Sequence, residues 1–165
     1  MVLERIESLH SIKKGYFVIF FLIAIDLVAK YLAEEYLSFG QAVPLIPILD
    51  LLLVFNSGIA FSILDFNNSF LSLSLSLIGL MIVAYLHSLY IKEESSINRF
   101  SLILIISGAL GNILDRLPDG VVTDFLFFHV GNTSFFIFNF ADAFISIGAA
   151  LFFLMEFKKF LQNRS

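Results

Sequence analysis

Residues Gly15–Ala33, GYFVIFFLIAIDLVAKYLA, are apolar except for Asp26 and Lys30. A bilayer core takes about 20 mainly apolar residues per helix, so this stretch is read as a transmembrane helix. It is not read as a cleavable leader. An ionisable pair lies inside it, no small-x-small cleavage site follows, and further apolar spans come after it. Ser69–Tyr90 is the second span; Ser72, Ser74 and Ser76 alternate with Leu in the period of a strand, but the length of the run decides for helix. The third runs from Phe100 to about residue 115, and the fourth from Asn139 to Phe157, ahead of Lys158-Lys159.

Composition agrees with that reading. Of 165 residues, 59% are hydrophobic and 15% charged, where soluble domains average about 45–50% and about 25%. Mean hydropathy is +0.93 and the isoelectric point about 5.2. The net charge of −4 and the absence of Cys exclude a basic nucleic-acid binder, a disulfide scaffold, thiol catalysis and Cys-based metal sites. Fold class is therefore expected to be an all-α polytopic membrane protein of four transmembrane helices. They run over approximately 15–33, 69–90, 100–115 and 139–157 in a single integral membrane domain covering 1–165, with outer loops at approximately 34–68 and 116–138.

Orientation follows from the basic residues. Arg5, Lys13, Lys14, Lys92, Arg99, Lys158, Lys159 and Arg164 fall on one side, leaving only Arg116 opposite and Lys30 within a span. Both termini are thus expected in the cytoplasm. The outward loops are apolar. Asp50–Phe55 leads into the turn signal Asn56-Ser57-Gly58, Pro118-Asp119-Gly120 is a second turn, and the β-branched and aromatic runs around Gly131-Asn132 predict a hairpin. These elements are expected to cap the helix bundle at the membrane surface.

The few polar residues carry the functional signal, because an ionisable group at mid-bilayer costs about 2.5–3.5 kcal/mol. Asp26 and Lys30, four apart, share a helix face and can pair; taken alone they read as a structural ion pair near the outer interface with Lys30 snorkelling. Asn112, Asp115 and Arg116 share another face at the outward end of the third helix. An acid there opposes the helix dipole, so Asp115 needs a partner: Arg116, Lys30 or backbone amides. A helix-stop cluster is the plain alternative. Asn139 and Asp142 read as a capping box. Asp124 lies in an apolar strand-like run, where an acid serves no helix end.

If the hairpin folds over the bundle, Asp124 and Asp142 meet at its outer mouth. Two carboxylates in a partly dry site share a proton, one acting as base toward water and the other as acid toward a peptide carbonyl or amine. The dipole of the fourth helix favours an ionised Asp142, so Asp124 is expected to hold the shared proton more often. No His-Glu-x-x-His, rhomboid-type Gly-x-Ser-Gly or Gly-x-Gly-Asp motif is present, and His10, His87 and His129 are scattered.

Five blocks in order resemble the lipoprotein signal peptidase (signal peptidase II) family. They are Asp26-x-x-x-Lys30; Asn56-x-Gly58-x-Ala60-Phe61-Ser62; Gly108-Ala109-x-Gly111-Asn112-x-x-Asp115-Arg116; Gly120-x-Val122-x-Asp124-Phe125; and Phe138-Asn139-x-Ala141-Asp142. The resemblance covers nearly the whole chain. It implies four transmembrane helices with a small extracytoplasmic β-cradle and a short outer helix. It also implies an aspartic endopeptidase of the bacterial cytoplasmic membrane that cleaves prolipoproteins just before a diacylglyceryl-modified Cys. Membrane lipids are its surroundings and globomycin-type compounds its inhibitors; no metal, organic cofactor, nucleic acid or oligomer is implied. The catalytic pair maps onto Asp124 and Asp142. Asp26, Lys30, Asn56, Gly58, Ala60, Phe61, Asn112, Asp115, Arg116, Val122, Asn139 and Ala141 map onto residues that shape the site or bind substrate. Ala29 departs from a common Thr or Ser, Ile59 replaces a frequent Ala, and Ser107 stands at a small-residue position.

Two rival readings come from other classes. A small proton-coupled transporter or channel subunit would spread its acids across the membrane depth, and an assembly subunit would have no use for Asp124.

Overall fold

The computed structural model describes residues 2–58 and 69–164, with side chains from Ile12 to Gly58 and from Ser72 to Arg164. In chain order the elements are α1 (Val2–Tyr36), β1 (Val43–Ile46), β2 (Leu49–Asn56), α2 (Ser69–Tyr90), α3 (Ser96–Arg116), β3 (Val122–Val130), β4 (Thr133–Phe138) and α4 (Phe140–Gln162). All four helices are long and apolar enough to cross a membrane. Burial is inverted relative to a water-soluble fold. Phe17, Phe20, Met81 and Phe153 are exposed, whereas Asp26, Lys30, Asn98, Ser101, Ser107 and Asn139 are buried. Lipid tails solvate the apolar exterior, and polar groups must find partners inside.

The helices differ in length from the apolar runs that mark them. α1 extends from residue 2 to residue 36 because hydropathy registers only the stretch inside the bilayer, while a helix continues through polar flanks. α3 begins at Ser96, ahead of Arg99. Ser95 caps it by accepting the Asn98 N–H at 3.4 Å, and the Arg99 guanidinium folds back onto the Glu93 carbonyl, its Nε at 3.0 Å. α2 is one continuous helix through its Leu–Ser alternation.

α3 lies at the centre and packs against α1, α2 and α4. A Cβ on Gly108 would sit 2.2 Å from the Ala141 carbonyl oxygen, and one on Gly148 2.7 Å from that of Ser101. Hence α3 and α4 touch backbone to backbone. With no hydrophobic effect acting between helices in lipid, such close packing is a main source of their attraction.

The four strands form one antiparallel sheet in the order β1-β2-β3-β4. The first outer stretch supplies β1 and β2. Gly131 and Asn132 turn the β3–β4 hairpin, with Gly131 at φ 57°, in the left-handed region such a turn needs. Leu51 pairs with Leu126 but Val54 with Asp124, so Leu52 and Leu53 together face Phe125. This bulge loosens the ladder beside Asp124. The short outer helix has no counterpart among the described residues, and residues 59–68 lie outside them. The sheet sits where α1 and α3 end and α4 begins.

Candidate active site

Lys30 is the hub of the helix ends. Its Nζ lies 2.8 Å from Asp26 Oδ2 and 3.2 Å from Asp115 Oδ2, and it donates to Asn112 Oδ1 at 2.8 Å. The i,i+4 pairing with Asp26 is as the spacing predicts. The snorkelling is not: Lys30 is only 1% exposed. Three oxygens inside the bundle hold the ammonium more closely than the interface could. Asp26 Oδ1 accepts the Ala141 N–H at 2.8 Å, tying α1 to the first turn of α4. A Cβ on Gly111 would approach Asp26 Oδ2 to 2.8 Å, so only glycine leaves room for that carboxylate. Asp115 finds both partner types its dipole-opposed position demands, Lys30 and the Thr123 N–H at 2.8 Å.

Asp124 and Asp142 converge on Asn139. As N-cap of α4, Asn139 accepts the Asp142 N–H at 2.9 Å, and Asp142 Oδ2 accepts the Asn139 N–H at 3.3 Å, a reciprocal capping box. With its other end Asn139 donates from Nδ2 to Asp124 Oδ1 at 2.7 Å and to the Thr123 carbonyl at 3.4 Å. Asn112 links the two clusters. Its Oδ1 takes the Lys30 proton and its Nδ2 donates to Asp142 Oδ1 at 2.8 Å. Only one amide orientation serves both, because an ammonium only donates and a carboxylate only accepts. Asn56, closing β2, donates to Asp124 Oδ2 at 3.0 Å.

Asn56 also accepts the Gly58 N–H at 2.8 Å, forming a turn in which Gly58 stands at φ +91°, a conformation reserved for glycine. Arg116 Nη2 lies against this turn, 3.5 Å from where a Gly58 Cβ would stand. Val122 and Ala141 are buried linings, Val122 opposite Asn56 in the β2–β3 ladder. Ala60 and Phe61 lie outside the described residues. Among the described residues, then, every expected position gathers at this end of the bundle. The carboxylates of Asp124 and Asp142 each bond to asparagines rather than to one another.

Burial pushes the Asp124 carboxyl up to about 6, and the charge of Asp142 adds to the rise; N–H donors on Asn56 and Asn139 and the Lys30 charge pull it down. A carboxyl titrating there can hold a proton near neutral pH beside a second acid, as general acid–base catalysis of hydrolysis requires. Among the described residues no group of three or more His, Asp and Glu side chains is arranged to hold a metal ion.

One contact at the site was not legible from the sequence motifs. Thr123 Oγ1 donates to Glu34 Oε1 at 2.5 Å, joining β3 to the last turn of α1. The available signal was the acidic pair Glu34-Glu35 at a helix C-terminus, where the dipole disfavours negative charge.

Comparison with known proteins gives this geometry a family. Lipoprotein signal peptidases of Brucella ovis, Brucella canis and Brucella suis are each 37% identical over 157 residues, covering 94% of this chain and 96% of theirs. A solved bacterial membrane enzyme, determined by the in meso method at 2.3 Å, superposes with a TM-score of 0.79 at 27% identity over 93% of both chains. A second such structure, at 1.9 Å, gives a TM-score of 0.77 at 28% identity over 87% of this chain and 92% of that one. The family model described as signal peptidase (SPase) II matches residues 18–158, a span holding both the Lys30 hub and the carboxylates around Asn139. With α2, α3, the sheet and the polar end of the bundle all inside that match, the chain belongs to the signal peptidase II family.

Proposed function

We propose that this bacterial membrane protease, which removes signal peptides from prolipoproteins, is an aspartic endopeptidase with Asp124 and Asp142 as its catalytic pair. Cleavage falls immediately before the diacylglyceryl-modified Cys. The observation carrying this reading is the convergence of both carboxylates on Asn139, with Asp124 raised to about 6. Asp124 in its protonated form is the acid toward the scissile carbonyl and leaving amine. Asp142 is the base toward the attacking water, held in aim by Asn112 and Asn139. Lys30, Asp26 and Asp115 fix the helix ends that carry these groups, and Arg116 and Asn56 are the polar side chains that meet the substrate backbone beside them. No metal or organic cofactor enters the mechanism.

The distribution of basic residues supports both termini lying in the cytoplasm and the site facing the outer side of the cytoplasmic membrane. A lipid-anchored substrate then arrives laterally with its Cys at headgroup depth. Nothing in the geometry favours a transporter, since the acids of the site gather at one end of the bundle.

Purified protein is incubated with a diacylglyceryl-modified prolipoprotein, with and without globomycin. Release of signal peptide that globomycin blocks is the expected result. Asp124→Asn and Asp142→Asn should each abolish release while leaving membrane insertion intact. Full activity in either variant would refute the pair.

A further inference from the structure

We infer that Glu34 and Thr123 form a positioning device that aims Asp124, a role resting on the assignment of Asp124 as catalytic. Thr123 is held at three points. Its N–H donates to Asp115 Oδ2 at 2.8 Å, its hydroxyl to Glu34 Oε1 at 2.5 Å, and its carbonyl accepts from Asn139 Nδ2 at 3.4 Å. One peptide bond further on, Asp124 is gripped by Asn56 and Asn139. The strand ladder cannot supply this restraint alone, because β2 carries its extra residue opposite Phe125, immediately after Asp124. Where the ladder is irregular, side-chain bonds decide the direction of the backbone.

Both residues are also costly for the fold alone. Thr123 is 2% exposed, and Val would fill that strand position without a hydroxyl needing a partner. Glu34 adds negative charge to the last turn of α1, which has no basic residue, against the helix dipole. Together they make one bond that crosses from α1 to β3 next to the reacting carboxyl. Removing it frees β3 to shift, and a misplacement of about 1 Å can cost on the order of a hundredfold in rate. Glu34 acts through Thr123 and touches no reacting group, so its contribution is a hydrogen-bond acceptor rather than a charge.

The test measures kcat, KM and the pH–rate profile of the full-length enzyme in detergent with lipid-modified prolipoprotein. Thr123→Val and Glu34→Ala should each lower kcat on the order of tenfold, with KM nearly unchanged. Thr123→Ser and Glu34→Gln, which keep donor and acceptor, should recover most of the loss. The double variant Thr123→Val/Glu34→Ala should be no worse than either single one, since both remove the same bond. Wild-type kcat in Glu34→Ala, or failure of Glu34→Gln to rescue, overturns the device even if Thr123→Val is poorly folded. Asp124→Asn is assayed alongside. An inactive Asp124→Asn with fully active Glu34→Ala refutes the positioning role alone, whereas an active Asp124→Asn removes the catalytic assignment and the device with it.

Discussion

Replacing Lys30 by Met removes the one cation that serves Asp26, Asp115 and Asn112 together, while keeping the length of the side chain. Asp26 and Asp115 have side-chain exposures of 1% and 13%, so Asp26 cannot turn to water for compensation and Asp115 can do so only in part. Removing one partner of a buried ion pair costs about 3–5 kcal/mol. The lower end applies here. The Ala141 and Thr123 N–H groups still serve the carboxylates. A loss of about 3 kcal/mol corresponds to a fall in midpoint temperature on the order of 10 °C for a chain of this size. The double variant Asp26→Asn/Lys30→Met no longer buries an unpaired Asp26 charge and should regain at least ~1 kcal/mol over the single one. The chain has neither Trp nor Cys, which rules out indole fluorescence and thiol-reactive dyes. Monodisperse protein surviving a temperature series, measured by gel filtration in detergent, is the suitable assay. Wild-type thermal stability combined with lost turnover would refute the structural role and make Lys30 a substrate contact.

Three further outcomes are expected. kcat/KM should fall as pH rises through about 6, where Asp124 loses its proton. Asn56→Ala, which removes an N–H that holds the carboxyl down, should move this limb to higher pH; a shift to lower pH contradicts the assignment. Stability should follow the same group. A raised acid contributes stability that is present below its ordinary value of 3.8 and lost as pH rises through about 6, readable as a falling detergent midpoint over that window. Gly108→Ala should destabilise by about 1–3 kcal/mol because its methyl meets a backbone carbonyl, whereas at Gly79 the nearest atom is the movable end of Ile113, 3.1 Å away. Equal thermal midpoints for the two alanine variants would contradict the close α3–α4 contact.

The sequence alone determined the class of solvent and the number of spans. Apolar runs of bilayer length are a local property, and burial or register cannot alter them. It also pointed to the candidate site by contrast: in so apolar a chain, Asp26, Asp115, Asp124 and Asp142 each required a reason to exist. Local pattern reached the capping box of Asn139 and Asp142 and the Asp26–Lys30 pairing, since both lie within one helical turn or nearly so. Helix ends escaped it, because α1 and α3 continue through polar flanks that hydropathy does not register.

Only tertiary structure decided that Lys30 is sealed inside rather than reaching the interface. Its other acceptors, Asn112 and Asp115, lie some eighty positions away on α3. It alone joined Asn112 to Asp142, set Asn139 between the two carboxylates, and brought Glu34 to Thr123 across 89 positions of chain. Spacing in a sequence reports neighbours on one helix or strand. Hydrogen bonds between elements depend on how those elements pack, and the close glycine contacts of α3 with α4 and the bulge in β2 fix that packing.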